Sequence, residues 1–207
     1  MTHVTAAMVI IGNEILSGRT QDLNLAYLAK RLNSVGVQVR EARVVPDVEA
    51  RIVDTVNELR AKYDYVFTSG GIGPTHDDIT ASSIAAAFGV KLHRHPEAVK
   101  LLEDAYKGTD KLNEARLKMA DVPEGSSLIA NAVTAAPGFA IGNVFVMAGV
   151  PSVTRGMLQD VGRRIEGGAI NCGYRQGCCW RGSRRGWVGG AVWWLEPLQA
   201  RLAKQII

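Results

Sequence analysis

The sequence predicts an α/β domain: a three-layer α/β/α sandwich on a mostly parallel, doubly wound sheet, with a small β-hairpin at one edge. Three observations carry that prediction. Apolar runs of strand length alternate with amphipathic helical stretches, in the order β-α-β-α-β-loop-α up to Phe88, the order that right-handed parallel crossovers produce. The first run, Ala7 to Ile11, is apolar at every position, as a central strand covered on both faces is. Phe139 to Met147 reads as two short strands around Gly142-Asn143, a good two-residue hairpin tip.

Each element has its own reason. After the first strand, Gly12 to Thr20 is a loop, and Glu14 lies just past the end of a central strand, where open α/β sheets bind ligands. A solvated loop acid is the plain alternative. Asp22 to Val35 forms a helix, with Leu25, Leu28, Leu32 and Val35 at helical spacing, Asp22 as N-cap and Gly36 as stop. Val37 to Val45 alternates apolar with Gln38, Arg40 and Arg43, a strand with one wetter face. Asp47 is placed to cap the next helix, Val48 to Lys62, whose inner stripe is Ile52, Val56 and Leu59. The third strand, Tyr65 to Phe67, runs into a glycine loop, and Ala81 to Phe88 follows as helix.

Lys91 to His95 reads as a short extended piece. His93 and His95 share a face there, but with no cysteine or further histidine nearby they read as ordinary surface residues. Two helical stretches, Pro96 to Tyr106 and Asn113 to Met119, make a polar insertion that suits a lid or an oligomer contact better than a catalytic centre, and a homo-oligomer is expected. Asp121 to Ser126 is a loop and Leu128-Ile129 a short strand; Ser152 is placed to cap a last helix through Met157 and Val161.

Function is argued from Ser69-Gly70-Gly71-Ile72-Gly73-Pro74-Thr75-His76-Asp77-Asp78-Ile79-Thr80. Glycines between a strand and a helix N-terminus let backbone N–H groups approach a ligand, and the helix end adds partial positive charge, an arrangement that suits phosphate. A Walker A loop would need Lys-Ser/Thr after its last glycine, and Pro74-Thr75 stands there; no lysine in the motif reaches a terminal phosphate. A dinucleotide fingerprint would need a glycine where His76 stands. Asp77 and Asp78 would repel phosphate unless a divalent cation lies between, or unless they hold a hydroxyl or ring nitrogen. The bland alternative makes Asp77, Asp78 and Thr80 rival N-caps, a role contributing about 1 kcal/mol.

The motif resembles the molybdenum-cofactor biosynthesis (molybdopterin-binding) domain, and within it the N-terminal domain of the competence/damage-inducible protein A (CinA) family. Supporting matches are Gly12-Asn13-Glu14-Ile15-Leu16-Ser17-Gly18, Asp22-Leu23-Asn24, Ala136-Pro137-Gly138-Phe139 and Met147-Ala148-Gly149-Val150-Pro151, in which Ala148 departs from the family's usual proline. The resemblance covers roughly residues 5 to 168. It implies a nucleotide or pterin diphosphate as ligand: molybdopterin binding or adenylylation in one branch, metal-dependent hydrolysis of ADP-ribose or FAD pyrophosphate in the CinA branch. The second is expected here, with a non-catalytic binding module as the rival. It also implies that Asp47 faces the ligand site. The expected catalytic residues are then Asp78, Asp47 and Glu14. Asp78 and Asp47 would hold Mg²⁺ or a transition metal. Ser69, Gly70, Gly71, Gly73, Pro74, Thr75, Asp77, Thr80, Gly138 and Gly149 would contact ligand. Ser69 has no base partner in the sequence that would make it a nucleophile.

Composition bounds the rest. The formal net charge of +4 does not belong to the body: residues 1–170 hold 18 Lys/Arg against 19 Asp/Glu, net −1, and residues 171–207 hold 6 against 1, net +5. All three cysteines and all four tryptophans lie in the same last 37 residues. Residues 1–170 therefore read as the domain and 171–207 as an atypical Gly/Arg/Cys/Trp-rich tail. The abrupt change suggests an out-of-frame translation product, which reading the gene in its other frames would check; a basic nucleic-acid arm ranks below it. The short apolar run at Ala6 to Ile11 cannot span a membrane or form a signal sequence, so a cytoplasmic protein is expected.

Overall fold

A computed structural model describes residues 4–109 and 112–167; the tail lies outside the described residues. In chain order the elements are β1 (Val4–Ile11), α1 (Asn13–Leu16), α2 (Asn24–Asn33), β2 (Val37–Val45), α3 (Glu49–Lys62), β3 (Tyr65–Ser69) and α4 (Thr80–Phe88). There follow β4 (Leu92–Arg94), α5 (Pro96–Tyr106), α6 (Glu114–Leu117), β5 (Asp121–Pro123), β6 (Ser127–Ile129), β7 (Gly138–Ile141), β8 (Val144–Met147) and α7 (Pro151–Arg164). The main sheet runs β2-β1-β3-β8-β7-β6. β1 is parallel to β2 and β3, β3 is parallel to β8, and β7 and β6 complete the edge antiparallel. The doubly wound sheet with a hairpin edge is as the sequence predicts.

The layers follow from the two-residue period of β1. Ala6, Met8 and Ile10 face a core with Leu28 and Leu32 of α2 and Met157, Leu158 and Val161 of α7. Ala7, Val9 and Ile11 face the opposite core, with Ile52, Val56 and Leu59 of α3 and Ile84 of α4. Phe67 and Phe145 stack across β3 and β8 with ring centroids 5.3 Å apart. A smaller third cluster of Ala98, Leu102 and Ala120 lies under α5. The helix after β1 covers one face and the helix after β3 the other, so the winding reverses between the carboxyl ends of these two strands, where open sheets place ligands. Among the described residues no helix is long and apolar enough to cross a membrane.

Four local expectations are corrected. The loop after β1 contains one helical turn, α1. The stretch read as a loop at Asp121 opens with β5, which pairs antiparallel with β4; its proline and its length of three hide it from pattern reading. Asp47 does not cap α3, whose N-cap position is Val48 and which has no side-chain cap, because the Asp47 carboxylate accepts the Asn13 N–H at 2.8 Å. Ser152 does not cap α7: Pro151 opens that helix, its fixed φ already helical and its missing N–H no loss there. Asp22, by contrast, does accept from the first-turn amides of Asn24 (3.2 Å) and Leu25 (2.9 Å).

Candidate functional site

The site is built where β1 and β3 end side by side. Gly70 follows β3 at φ 114°, and a Cβ there would stand 2.1 Å from the Ile11 carbonyl oxygen, so only glycine lets the two strand ends close. Its N–H donates to the Met147 carbonyl at 3.1 Å, and its carbonyl accepts from the Thr80 hydroxyl at 3.0 Å. Gly70 is thus committed to packing, which corrects the expectation that its amide cradles a phosphate. Gly71 sits at φ 69° with the Thr80 Oγ1 against its Cα. The amides of Gly71, Ile72 and Gly73 have no backbone partner among the described residues and remain as donors.

Beneath this turn a buried polar clamp holds three segments. Asn24, in the first turn of α2, donates through Nδ2 to Ser69 Oγ at 2.8 Å and to the Gly149 carbonyl at 2.7 Å. Ser69 Oγ in turn donates to the Ala148 carbonyl at 3.3 Å. With no histidine or carboxylate at its hydroxyl, Ser69 is a structural residue and has no means of acting as a nucleophile. Asn24 was legible only as part of the Asp-x-Asn match; its role comes from contacts 45 and 125 residues away.

The acidic part of the loop closes on itself. Asp78 Oδ2 accepts the Thr75 N–H at 2.8 Å and the Thr75 hydroxyl. Gly73 lies under the same carboxylate, 2.6 Å from Oδ2 at the place a Cβ would take. Thr80 is fully buried on Gly70. None of Asp77, Asp78 and Thr80 caps α4, contrary to the bland reading, since the cap residue is Ile79 and no side chain caps the helix there. The Thr75 hydroxyl and Asp77's own N–H hold the Asp77 carboxyl below the ordinary range, with the charges of His76 and Lys118 adding to it. That hydroxyl has one proton and its geometry gives it to Asp78, so the amide and the nearby charges are the lasting part of the effect.

Lys118 was missed by sequence reasoning. It lies in the insertion set aside as non-catalytic, yet its Nζ donates to the carbonyls of Asp78 at 2.9 Å and Thr75 at 3.1 Å. A lysine does reach the glycine loop, from 40 residues downstream.

Above the turn opens a cavity of about 680 Å³, within the range of small-molecule sites. Its polar lining comes from Gly70 to Pro74, Asp78, Glu14, Thr20 and Gly149. Its apolar and aromatic lining comes from Met119, Ala135, Ala136, Val153, Met157 and Tyr106, with the Arg116 guanidinium 5.0 Å from the Tyr106 ring centre. The structure therefore brings Glu14 and Asp78 to one cavity. Glu14 folds back over Gly12, its Oε1 2.5 Å from a Cβ built there. Asp47, Thr75 and Asp77 do not line the cavity; Asp47 instead steadies the Asn13 amide beside Glu14. Gly138 lies in β7, where a Cβ would meet the Val146 carbonyl at 2.5 Å and Met157 Sδ at 3.3 Å; its close approach is to the sheet, not to a ligand. Among the described residues no group of three or more His, Cys, Asp or Glu converges as a metal cage.

The chain is similar to known proteins along most of its described length. A family model described as a probable molybdopterin binding domain matches residues 7–166. A protein of Archaeoglobus fulgidus is 39% identical over 161 residues, 78% of this chain and 69% of that one. A CinA-like protein of Desulfosudis oleivorans is 36% identical over 78% of this chain but only 40% of its own length. The crystal structure of CinA from Thermoplasma acidophilum superposes with a TM-score of 0.73 at 34% identity, covering 79% of this chain and 99% of that one. MoaB from Pyrococcus furiosus, at 16% identity and a TM-score of 0.51, shares the fold. The chain belongs to the molybdopterin-binding domain family and, within it, to the CinA-like proteins.

Proposed function

We propose that this chain binds a nucleotide- or pterin-type diphosphate at the switch between β1 and β3, and that it hydrolyses the pyrophosphate of an ADP-ribose- or FAD-like substrate with a divalent metal. One observation carries the reading: a single cavity is lined both by the glycine loop and two carboxylates and by apolar and aromatic side chains. Amides of Gly71, Ile72 and Gly73 would hold phosphate oxygens, while Tyr106, Met119 and Met157 would receive a planar ring. Glu14 and Asp78 suit Mg²⁺, which is commonly bound by one or two carboxylates and the substrate's own phosphates; a transition metal needing three protein ligands does not fit these residues. When bound, the cation would neutralise phosphoryl charge and supply an activated water. Thr75 would keep the Asp78 carboxylate facing the loop, and Asp47 would hold the turn that carries Glu14.

The test is metal-dependent release of AMP from ADP-ribose. Asp78→Ala should lose about 100-fold or more in kcat, the scale of removing one charge-stabilising group; equal activity would end the catalytic assignment. The second reading, molybdopterin binding or adenylylation without pyrophosphate hydrolysis, is favoured by the family's description. Pterin binding by a chain that leaves ADP-ribose and FAD intact would select it.

A further inference from the structure

We propose that Lys118 is the positioning residue of this site: it ties the acidic half of the glycine loop to the Arg116–Met119 segment, so that the loop and the aromatic part of the cavity lining are held in one register. The inference concerns the diphosphate reading above and rests on it for the identity of the ligand.

The Thr75–Asp78 turn has few restraints of its own. Its closing bond, from Asp78 N–H to the Thr75 carbonyl, is long at 3.3 Å, and the other internal ties are the Thr75 amide and hydroxyl on Asp78. Residues 74–77 are exposed. From outside the turn, the Lys118 ammonium bonds the carbonyls of both its end residues. Bonds from an ammonium are roughly twice as strong as neutral ones, and the positive charge also opposes the two carboxylates crowded into the turn. Both partners are carbonyls rather than carboxylates, so this is not an ion pair, and the bond to Asp78 is part-buried while that to Thr75 is exposed.

The other end of the tether is equally defined. Lys118 opens a short 3-10 turn whose last residue, Ala120, is fully buried with Ala98 and Leu102, and the Ala120 carbonyl accepts the His95 N–H at 2.9 Å. Met119 and Arg116 on either side line the large cavity, and Arg116 lies on Tyr106. The glycine loop also contacts this segment across a second, small cavity of about 60 Å³ lined by Gly71, Gly73, Asp78, Lys118 and Met119. One side chain thus couples the glycine loop to the segment that carries Arg116 and Met119. Its loss weakens binding of the ground state and the transition state alike, which raises KM and leaves kcat nearly unchanged.

The experiment compares full-length wild type, Lys118→Met and Lys118→Arg by ligand-free hydrogen exchange across residues 71–80 and 113–119, and by steady-state hydrolysis of ADP-ribose with Mg²⁺. In Lys118→Met, exchange in both segments should accelerate and KM should rise about tenfold, the loss of charge-assisted bonds, with kcat within about threefold. Lys118→Arg, which keeps the charge and two donors, should restore most of both. Unchanged exchange in Lys118→Met overturns the tether whatever the activity. Faster exchange with an unchanged KM overturns its positioning role. If the wild type neither binds nor hydrolyses ADP-ribose, the substrate reading fails, and coupled exchange in the two segments still decides the tether.

Discussion

Replacing Asn24 by alanine is the most direct probe of how the site is held. The side chain is 5% exposed and makes two good hydrogen bonds, to Ser69 Oγ and the Gly149 carbonyl, that pin α2, the end of β3 and the loop after β8. Each bond contributes about 0.5–1.5 kcal/mol net, and a buried group left unpaired costs about 1–3 kcal/mol. Ser69 retains its long bond to Ala148, and Gly149 is exposed enough to find water, so the loss falls at about 2–4 kcal/mol with the small void included. For a domain of this size that lowers the thermal midpoint by about 5–15 °C. Urea unfolding followed by far-UV circular dichroism measures it. Asn24→Asp, which places an acceptor where two donors stood, should cost at least as much despite its matching shape. A double-mutant cycle with Ser69→Ala should return about 0.5–1.5 kcal/mol of coupling. An Asn24→Ala cost below about 1 kcal/mol, or no coupling to Ser69, would refute the clamp.

Two further outcomes concern other residues. Gly71→Ala should cost about 2–4 kcal/mol, since it meets a left-handed backbone and the Thr80 hydroxyl at 2.1 Å together; adding Thr80→Ala should recover the steric part only, as read by thermal melts. On the far edge of the sheet, the Lys62 ammonium, then the Tyr63 hydroxyl and Arg43, bring the Glu41 carboxyl from 4.5 down to about 2. A depressed acid stabilises the fold above its unfolded value and loses that contribution as pH falls through the folded one. The stability of Glu41→Gln should therefore lie below wild type at neutral pH and converge with it between pH 4.5 and about 2; parallel acid limbs in the two proteins would contradict this.

What could be read from the chain, and what could not, divides by range. Ala7 to Ile11 announced a central strand because every position is apolar, and Gly142-Asn143 announced a hairpin because the turn is local, with Gly142 at φ 56°. The glycine loop was found by spacing, but spacing treats its glycines alike, whereas Gly70 closes on the Ile11 carbonyl, Gly71 on Thr80 and Gly73 on the Asp78 carboxylate. Asp47 looked like a cap by local rules and lost that role to an amide 34 residues away. Lys118 gave no signal at all in its own neighbourhood: its partners are main-chain oxygens 40 and 43 residues earlier, which carry no sequence signature. Tertiary contacts decide such cases, and side-chain identity alone does not encode them.

The small cluster of Ala98, Leu102 and Ala120 has an implication for how this scaffold diversifies. The segment that supplies Tyr106, Arg116 and Met119 packs on itself and against Leu128, Ala135 and Ala136, and Val122 of β5 and Leu128 join it to the main core. Under the proposed function, substitutions in that one stretch would change ring selectivity while the strand ends and the glycine turn stayed constant, so that one phosphate grip would serve different molecules.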